Sequence, residues 1–172
     1  FKILFNDKIH NIISMIFGKR NYYLYSYTCN SNLAEKNQPF HMDCRHYYPF
    51  ESLKLFGNTG LPLQLIANVY LQDTNEENGS LEMIPGSHKL TDFELGEDGD
   101  ILEKYLKDLD TEKCNLPKGS VIIRDKRTWH RGTFNPNMSL RHMIGTSYAI
   151  NWYNLKSKLS FNNDSEYMFY EA

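Results

Sequence analysis

Phe40-His41-Met42-Asp43-Cys44-Arg45-His46 is the stretch from which the rest of the chain is read, because it sets an imidazole and a carboxylate two residues apart in an extended run. In a strand, side chains at i and i+2 leave the same face. His41 and Asp43 can therefore reach one metal ion together, and a histidine from a distant strand would complete a face of two imidazoles and one carboxylate. Such a face holds ferrous iron from one side and leaves the opposite coordination positions open. The candidate third ligand is His130, in Arg124-Asp125-Lys126-Arg127-Thr128-Trp129-His130-Arg131-Gly132-Thr133. Strand parity also offers a rival, since Cys44 and His46 share the other face and could instead be the pair of a zinc site. That alternative wants further Cys or His ligands, and neither Cys29 nor Cys114 shows ligand-like pairing with it. A thiolate beside an iron that handles oxygen also oxidises readily.

Working outward, Asn30 to Gln38 is polar and reads as the loop that delivers the chain to this run. Before it, the Tyr-rich segment Asn21 to Cys29 reads as a strand. Ile9, Ile12, Ile13, Ile16 and Phe17 recur at helical spacing, with Asn6 or Asp7 as N-cap and Gly18 just past the end, so a core-facing helix is expected from Asp7. His10 lies beside that stripe and reads as a surface histidine. Downstream, Gly57, Asn58 and Gly60 mark Glu51 to Gly60 as a turn region. Leu61 to Leu71 then reads as a strand with Leu63, Leu65, Ala67 and Val69 on one face and Gln64, Ile66, Asn68 and Tyr70 on the other. The second face either lines a wet cavity or is half exposed. Asn68 is its amide to watch, because a buried amide needs partners that a cosubstrate could supply.

Asp73 to Gly79 is a polar turn, and Ser80 to Ile84 a short strand closed by Pro85-Gly86-Ser87-His88, with His88 read as a loop histidine bonding backbone. Asp100 to Lys113 reads as a helix, with a capping-box start at Asp100 and Glu103 and an apolar stripe of Ile101, Leu102, Tyr105, Leu106 and Leu109. Ser120 to Arg124 and Leu140 to Ile150 are further strands, while Trp152 to Ala172 shows no clear period. Many short strands separated by turns argue for a mainly β chain, an antiparallel barrel or two-sheet jelly roll with a few flanking helices.

Length and composition set the outer limits. A single domain over residues 1–172 can bury a full core, and 41% hydrophobic with 14% aromatic residues is enough to fill one. A formal charge of −2 without any dominant Lys/Arg block argues against a nucleic-acid or anionic-membrane surface. No run approaches the roughly 20 apolar residues that span a bilayer. Small or neutral partners fit better. Three cysteines without an even framework suggest reduced thiols in a cytoplasmic setting. The chain opens at Phe1 with neither an initiator Met nor a signal-peptide pattern, so a protein truncated at the N-terminus is expected.

Two imidazoles and a carboxylate leave three positions on an iron, which lets a keto acid chelate through two oxygens while dioxygen takes the third. The far carboxylate of that acid then needs a clamp. Arg141 suits it, because a guanidinium stays charged and can fork two parallel bonds to a carboxylate. It lies eleven residues past His130, room for a turn through Asn135-Pro136-Asn137. A hairpin there is expected to bring both side chains into one cavity. Arg131 competes for the role, but it alternates away from His130 and reads as facing solvent or the outer surroundings of the metal.

His41-Met42-Asp43 with Tyr47, Pro49 and Phe50, then Asn78-Gly79-Ser80-Leu81-Glu82-Met83-Ile84-Pro85-Gly86-Ser87-His88-Lys89, Lys118-Gly119-Ser120, Trp129-His130-Arg131-Gly132 and Arg141 together resemble the phytanoyl-CoA dioxygenase family. The resemblance covers roughly Gln38 to Tyr148, and its specificity lies in the combination. It implies a double-stranded β-helix, Fe(II) held by His41, Asp43 and His130, and 2-oxoglutarate anchored by Arg141. It also implies decarboxylation to succinate and CO₂ coupled to hydroxylation of an unactivated C–H bond.

Two departures stand out. Family members often carry a serine two residues after the distal histidine, where it helps hold the cosubstrate; here Gly132 stands there, and Thr133 is the nearest hydroxyl. The N-terminal part that usually helps cover the pocket is also expected to be truncated. Asp43 separates the chain from similar halogenases, which place a small residue there. Ser147 separates it from nucleic-acid-repair dioxygenases, which carry a second arginine at that spacing. The expectation is a dioxygenase acting with dioxygen on a small or carrier-linked organic molecule. The alternative is a non-catalytic jelly-roll module that binds metal or ligand. A cupin-like metal enzyme without cosubstrate would want a His-x-His pair and a nearby Glu, which the stretch around His41 does not provide.

Overall fold

A computed structural model describes residues 3, 6–44, 61–89, 106 and 108–153. Helix α1 (Asp7–Phe17) precedes the strands β1 (Tyr22–Asn32), β2 (Gln64–Tyr70), β3 (Leu81–Met83), β4 (Glu112–Cys114), β5 (Val121–Asp125), β6 (His130–Gly132) and β7 (Arg141–Ile150). The strands form two antiparallel sheets, ordered β1-β7-β2-β5 and β4-β3-β6. This is the two-sheet arrangement of a double-stranded β-helix. Among the described residues no helix is long and apolar enough to cross a membrane.

The helix forms where its caps and stripe place it. Asn6 accepts from the backbone N–H groups of Lys8 (3.0 Å) and Ile9 (3.3 Å), satisfying donors that the first turn leaves free. Gly18 ends it at φ 90°, a backbone region that disfavours a Cβ, and donates its own N–H to Ser14. Ile9, Ile13 and Phe17 then pack on Leu63, Leu65, Ala67, Val69, Ile144, Tyr148 and Ile150. Those positions are one parity of β2 and β7 with the residues flanking β2, so α1 roofs the outer face of the four-stranded sheet. His10 is half-buried rather than on the surface: its Nδ1 lies 3.1 Å from the Tyr22 hydroxyl and its ring packs edge-on to Tyr148.

The other parity faces inward. Every residue of β2 is buried, and Asn68 is only 1% exposed, so the face carrying Gln64, Ile66, Asn68 and Tyr70 is enclosed. Asn68 stands opposite Gly145, Tyr70 opposite Met143, and Ile66 opposite Arg124 across the neighbouring strands. Arg124 of this sheet touches His130 of the other. The site therefore lies between the sheets.

Several sequence expectations change in the fold. Of the expected strand Phe40 to His46, the described part, Phe40 to Cys44, is not regular: His41 makes a single bridge to His130, and the chain then bends, with the N–H groups of Asp43 and Cys44 both directed at the Lys126 carbonyl. Arg45 and His46 lie outside the described residues. β1 runs three residues beyond Cys29 because β7 supplies partners as far as Asn32↔Arg141. The expected helix does not reach Lys113, since Glu112–Cys114 is strand β4 paired with β3. There, backbone pairing to an open edge overrides the local helical period. Most of the rest of that helix, the turn region Glu51 to Gly60, and the tail beyond Tyr153 lie outside the described residues.

The expected hairpin between His130 and Arg141 does not form either. β6 pairs with β3 in one sheet, while β7 lies between β1 and β2 in the other. The connection crosses between sheets, and Asn135 fixes it by donating to the carbonyls of Asn32 (3.1 Å) and Ser139 (2.7 Å).

Candidate metal centre

His41, Asp43 and His130 converge, with one ligand atom from each lying within 4.8 Å of the others. The reciprocal backbone bonds between His41 and His130 (2.9 and 3.0 Å) hold the two imidazoles together, with ring centroids 4.4 Å apart. A bridge of one residue pair thus does what a full strand was expected to do. The bend after Met42 brings Asp43 onto the same spot, where its Oδ1 lies 3.6 Å from His130 Nε2.

Backbone carbonyls decide which ring nitrogens can bind an ion. Nδ1 of His130 lies 2.9 Å from the Thr128 carbonyl, and Nδ1 of His41 lies 3.0 Å from the Pro39 carbonyl. A carbonyl only accepts, so each Nδ1 carries a proton and Nε2 is the nitrogen left to meet an ion. This is the arrangement that orients metal-binding histidines. Burial, with help from the Arg124 guanidinium, pushes His130 down to about 4, against the pull of Asp43. Its imidazole is therefore neutral at physiological pH. For Asp43 burial acts to raise the carboxyl, but Arg124 and then His130 overcome it and the net shift is downward. Two imidazole nitrogens and one carboxylate oxygen fit a divalent first-row metal with open positions.

Arg124 is the residue here that sequence reading passed over. It was visible only as the charged end of an apolar strand, and nothing local in Val121-Ile122-Ile123-Arg124 says what covers it. In the fold its Nη2 lies 2.5 Å from Asp43 Oδ2 and 3.1 Å from His130 Nε2. Arg131, the rival clamp, points elsewhere: its Nε donates to Glu82 (2.6 Å) and its guanidinium lies over the Phe40 ring.

Farther along the inner face, Arg141 is buried, and its Nε is enclosed with no partner among the described residues. The same holds for both polar atoms of the Asn68 side chain and for the Tyr70 hydroxyl. Tyr70, which the sequence reading did not single out, influences Arg141 electrostatically and senses Arg124 in turn. Buried polar groups are rarely left unpaired, so this cluster has the character of a surface that a polar ligand completes. A Cβ on Gly145 would meet Thr28 Oγ1 at 2.9 Å and Asn68 Nδ2 at 3.4 Å, so the glycine keeps this stretch of the face open.

Thr133 is differently placed. Its hydroxyl donates to the Ser80 carbonyl at 2.7 Å, so its proton is committed within the fold and its remaining lone pairs suit a donor rather than a carboxylate. At Gly132 a Cβ would lie 2.8 Å from Gln38 Oε1, which accepts from the Gly132 N–H. Gln38 thus occupies the space that a serine at 132 would need.

The thiols give the rival site little support. Cys44 is pushed up to about 12 by burial and then by Asp125, and Cys114 up to about 11 by burial and then by Glu112. Both stay protonated at neutral pH, and only the thiolate is a good ligand or nucleophile. A disulfide reagent at pH 8 is expected to label exposed Cys29 promptly and the other two only on unfolding. Equal labelling rates at all three would contradict this.

Comparison with known proteins follows the same lines. The profile of the Phytanoyl-CoA dioxygenase (PhyH) family matches residues 3–143. Dioxygenase sphC of Aspergillus fumigatus is 29% identical over 126 residues, covering 70% of this chain and 33% of that protein. The chain thus spans about a third of the length of this curated relative. Among solved structures, EctD from S. alaskensis with bound Fe superposes with a TM-score of 0.68 at 20% identity, covering 91% of this chain and 54% of EctD. The epimerase SnoN, in complex with Fe3+, alpha ketoglutarate and nogalamycin RO, superposes with a TM-score of 0.65 at 18% identity, covering 87% and 57%. At such identities these likenesses establish the double-stranded β-helix.

Proposed function

Because the chain belongs to the phytanoyl-CoA dioxygenase family, we propose that it is an Fe(II)- and 2-oxoglutarate-dependent dioxygenase that hydroxylates a small or carrier-linked organic molecule. The observation that carries this reading is the pair of histidines whose Nδ1 protons are directed at carbonyls, so that both Nε2 atoms are turned toward Asp43. Bound there, Fe(II) would supply the redox chemistry by which one oxygen of O₂ enters succinate, with loss of CO₂, and the other enters a C–H bond of the substrate.

The chain's own residues do the rest. His41, His130 and Asp43 would hold the ion from one side. Arg141 would fork the distal carboxylate of 2-oxoglutarate, giving a charge-assisted pair to a buried guanidinium whose Nε has no partner among the described residues. Asn68 would offer the cosubstrate both a donor and an acceptor from the same inner face. Residues from both sheets meet at one place, which supports the chain acting as a single domain.

Anaerobic addition of Fe(II) and 2-oxoglutarate to the purified protein is expected to produce a weak visible charge-transfer band. Admission of O₂ should then consume 2-oxoglutarate and release succinate in equal amounts. A folded protein that binds both and consumes neither would instead be a non-catalytic binding module.

A further inference from the structure

Arg124 places a guanidinium inside the proposed metal centre. Its side chain is 7% exposed, its Nη2 contacts both Asp43 Oδ2 and His130 Nε2, and its Nε and Nη1 are enclosed without partners among the described residues. Of the other cations nearby, Arg131 pairs with Glu82 and Arg127 with Asp125, whereas Lys126 meets the Tyr25 hydroxyl and the Arg141 Nε has no partner among the described residues. Tyr70 and Cys114, which sense Arg124 electrostatically, are both held protonated, by burial first.

A ring nitrogen has one lone pair. An ion on His130 Nε2 must take the pair that now accepts from Arg124, so Nη2 has to leave that atom while keeping Asp43 Oδ2. The carboxylate then offers the ion Oδ1 alone. A full positive charge also stays beside a divalent cation, in a partly buried place where charges are weakly screened. Asp43 and Arg124 already pair with each other, so an ion alone brings two positive charges that no further carboxylate of the cluster offsets among the described residues. A bound dianion removes them.

Resting on the metal-centre reading above, we propose that Arg124 is a positioning residue that makes divalent-ion and dicarboxylate binding mutually dependent. It weakens the affinity for the ion alone and leaves affinity high when a dicarboxylate enters with it. Because coupling between two ligands is reciprocal, the ion raises affinity for the dicarboxylate by the same factor.

Calorimetric titration of Ni(II), which supports no turnover, with and without saturating 2-oxoglutarate tests this on the full chain. In the wild type, 2-oxoglutarate is expected to tighten Ni(II) binding at least tenfold. Arg124→Gln should bind Ni(II) alone at least tenfold more tightly than wild type, with the gain from 2-oxoglutarate reduced correspondingly. Arg124→Lys, which keeps the charge and loses the fork, should retain the weak affinity for the ion alone. Circular dichroism checks each fold, and Arg124→Met provides a second neutral variant if the glutamine variant does not fold. Neutral variants that bind Ni(II) alone no more tightly than wild type would overturn the proposal. A wild type that binds no Ni(II) with or without 2-oxoglutarate would instead overturn the metal-centre reading itself.

Discussion

Asp43→Ala is expected to abolish 2-oxoglutarate-dependent succinate formation and to weaken binding of Fe(II), or of an inert divalent surrogate, by about a hundredfold or more. Loss of an outer partner of a metal ligand already costs on the order of 10–100-fold, and Asp43 is the only carboxylate of the centre among the described residues. The substitution also strips Arg124 of its counter-charge. A buried guanidinium left without its carboxylate costs about 3–5 kcal/mol in a fully enclosed pair, and less here because the Asp43 side chain is 26% exposed. Lower thermal stability should therefore accompany the loss of metal binding. Single-turnover succinate assays and metal titration together check the prediction. Retained turnover in a folded Asp43→Ala protein would show that another group supplies the oxygen donor.

The second large effect is expected at Arg141, and it should separate function from stability. Arg141→Met should raise the KM for 2-oxoglutarate by about a hundredfold, since removing one partner of a buried charge pair costs about 2–5 kcal/mol. Affinity for the metal alone should stay within about threefold, because Arg141 is not one of the three clustered ligands. Stability should move the other way. Arg141 is buried with its Nε unpartnered among the described residues, so replacing it by a long apolar side chain removes a desolvation penalty of about 1 kcal/mol or more. A Tm raised by about 2–4 °C is expected for a chain of this size. A site that sacrifices stability for ligand binding behaves in this way. An unchanged KM would remove Arg141 from the cosubstrate site, and a lowered Tm would show that the guanidinium is paired in the free protein.

Parity along the strands was legible in advance. Leu65, Ala67 and Val69 pack under α1 while Gln64, Asn68 and Tyr70 turn inward, as the alternation of Leu61 to Leu71 indicates. The cap and stripe of α1 were equally clear. His41, Asp43 and His130 were identified from residue type and spacing, and they do meet, although through a bend and a single bridge rather than a shared strand face. The hairpin expected between His130 and Arg141 was a plausible local inference that failed. A turn sequence does not say whether the chain returns beside itself or crosses to another sheet.

By itself, then, the sequence determined the periodic features: which residues of β2 share a face, where α1 begins and ends, and which side chains are competent to bind a metal. Only the tertiary structure decided that β6 and β7 belong to opposite sheets, that Thr128 and Pro39 set the tautomers of the two histidines, and that Arg124 stands between Asp43 and His130. The division has a physical cause. Side-chain direction repeats along a strand and is written in neighbouring residues, whereas the partner of a buried charge depends on which distant segment folds over it.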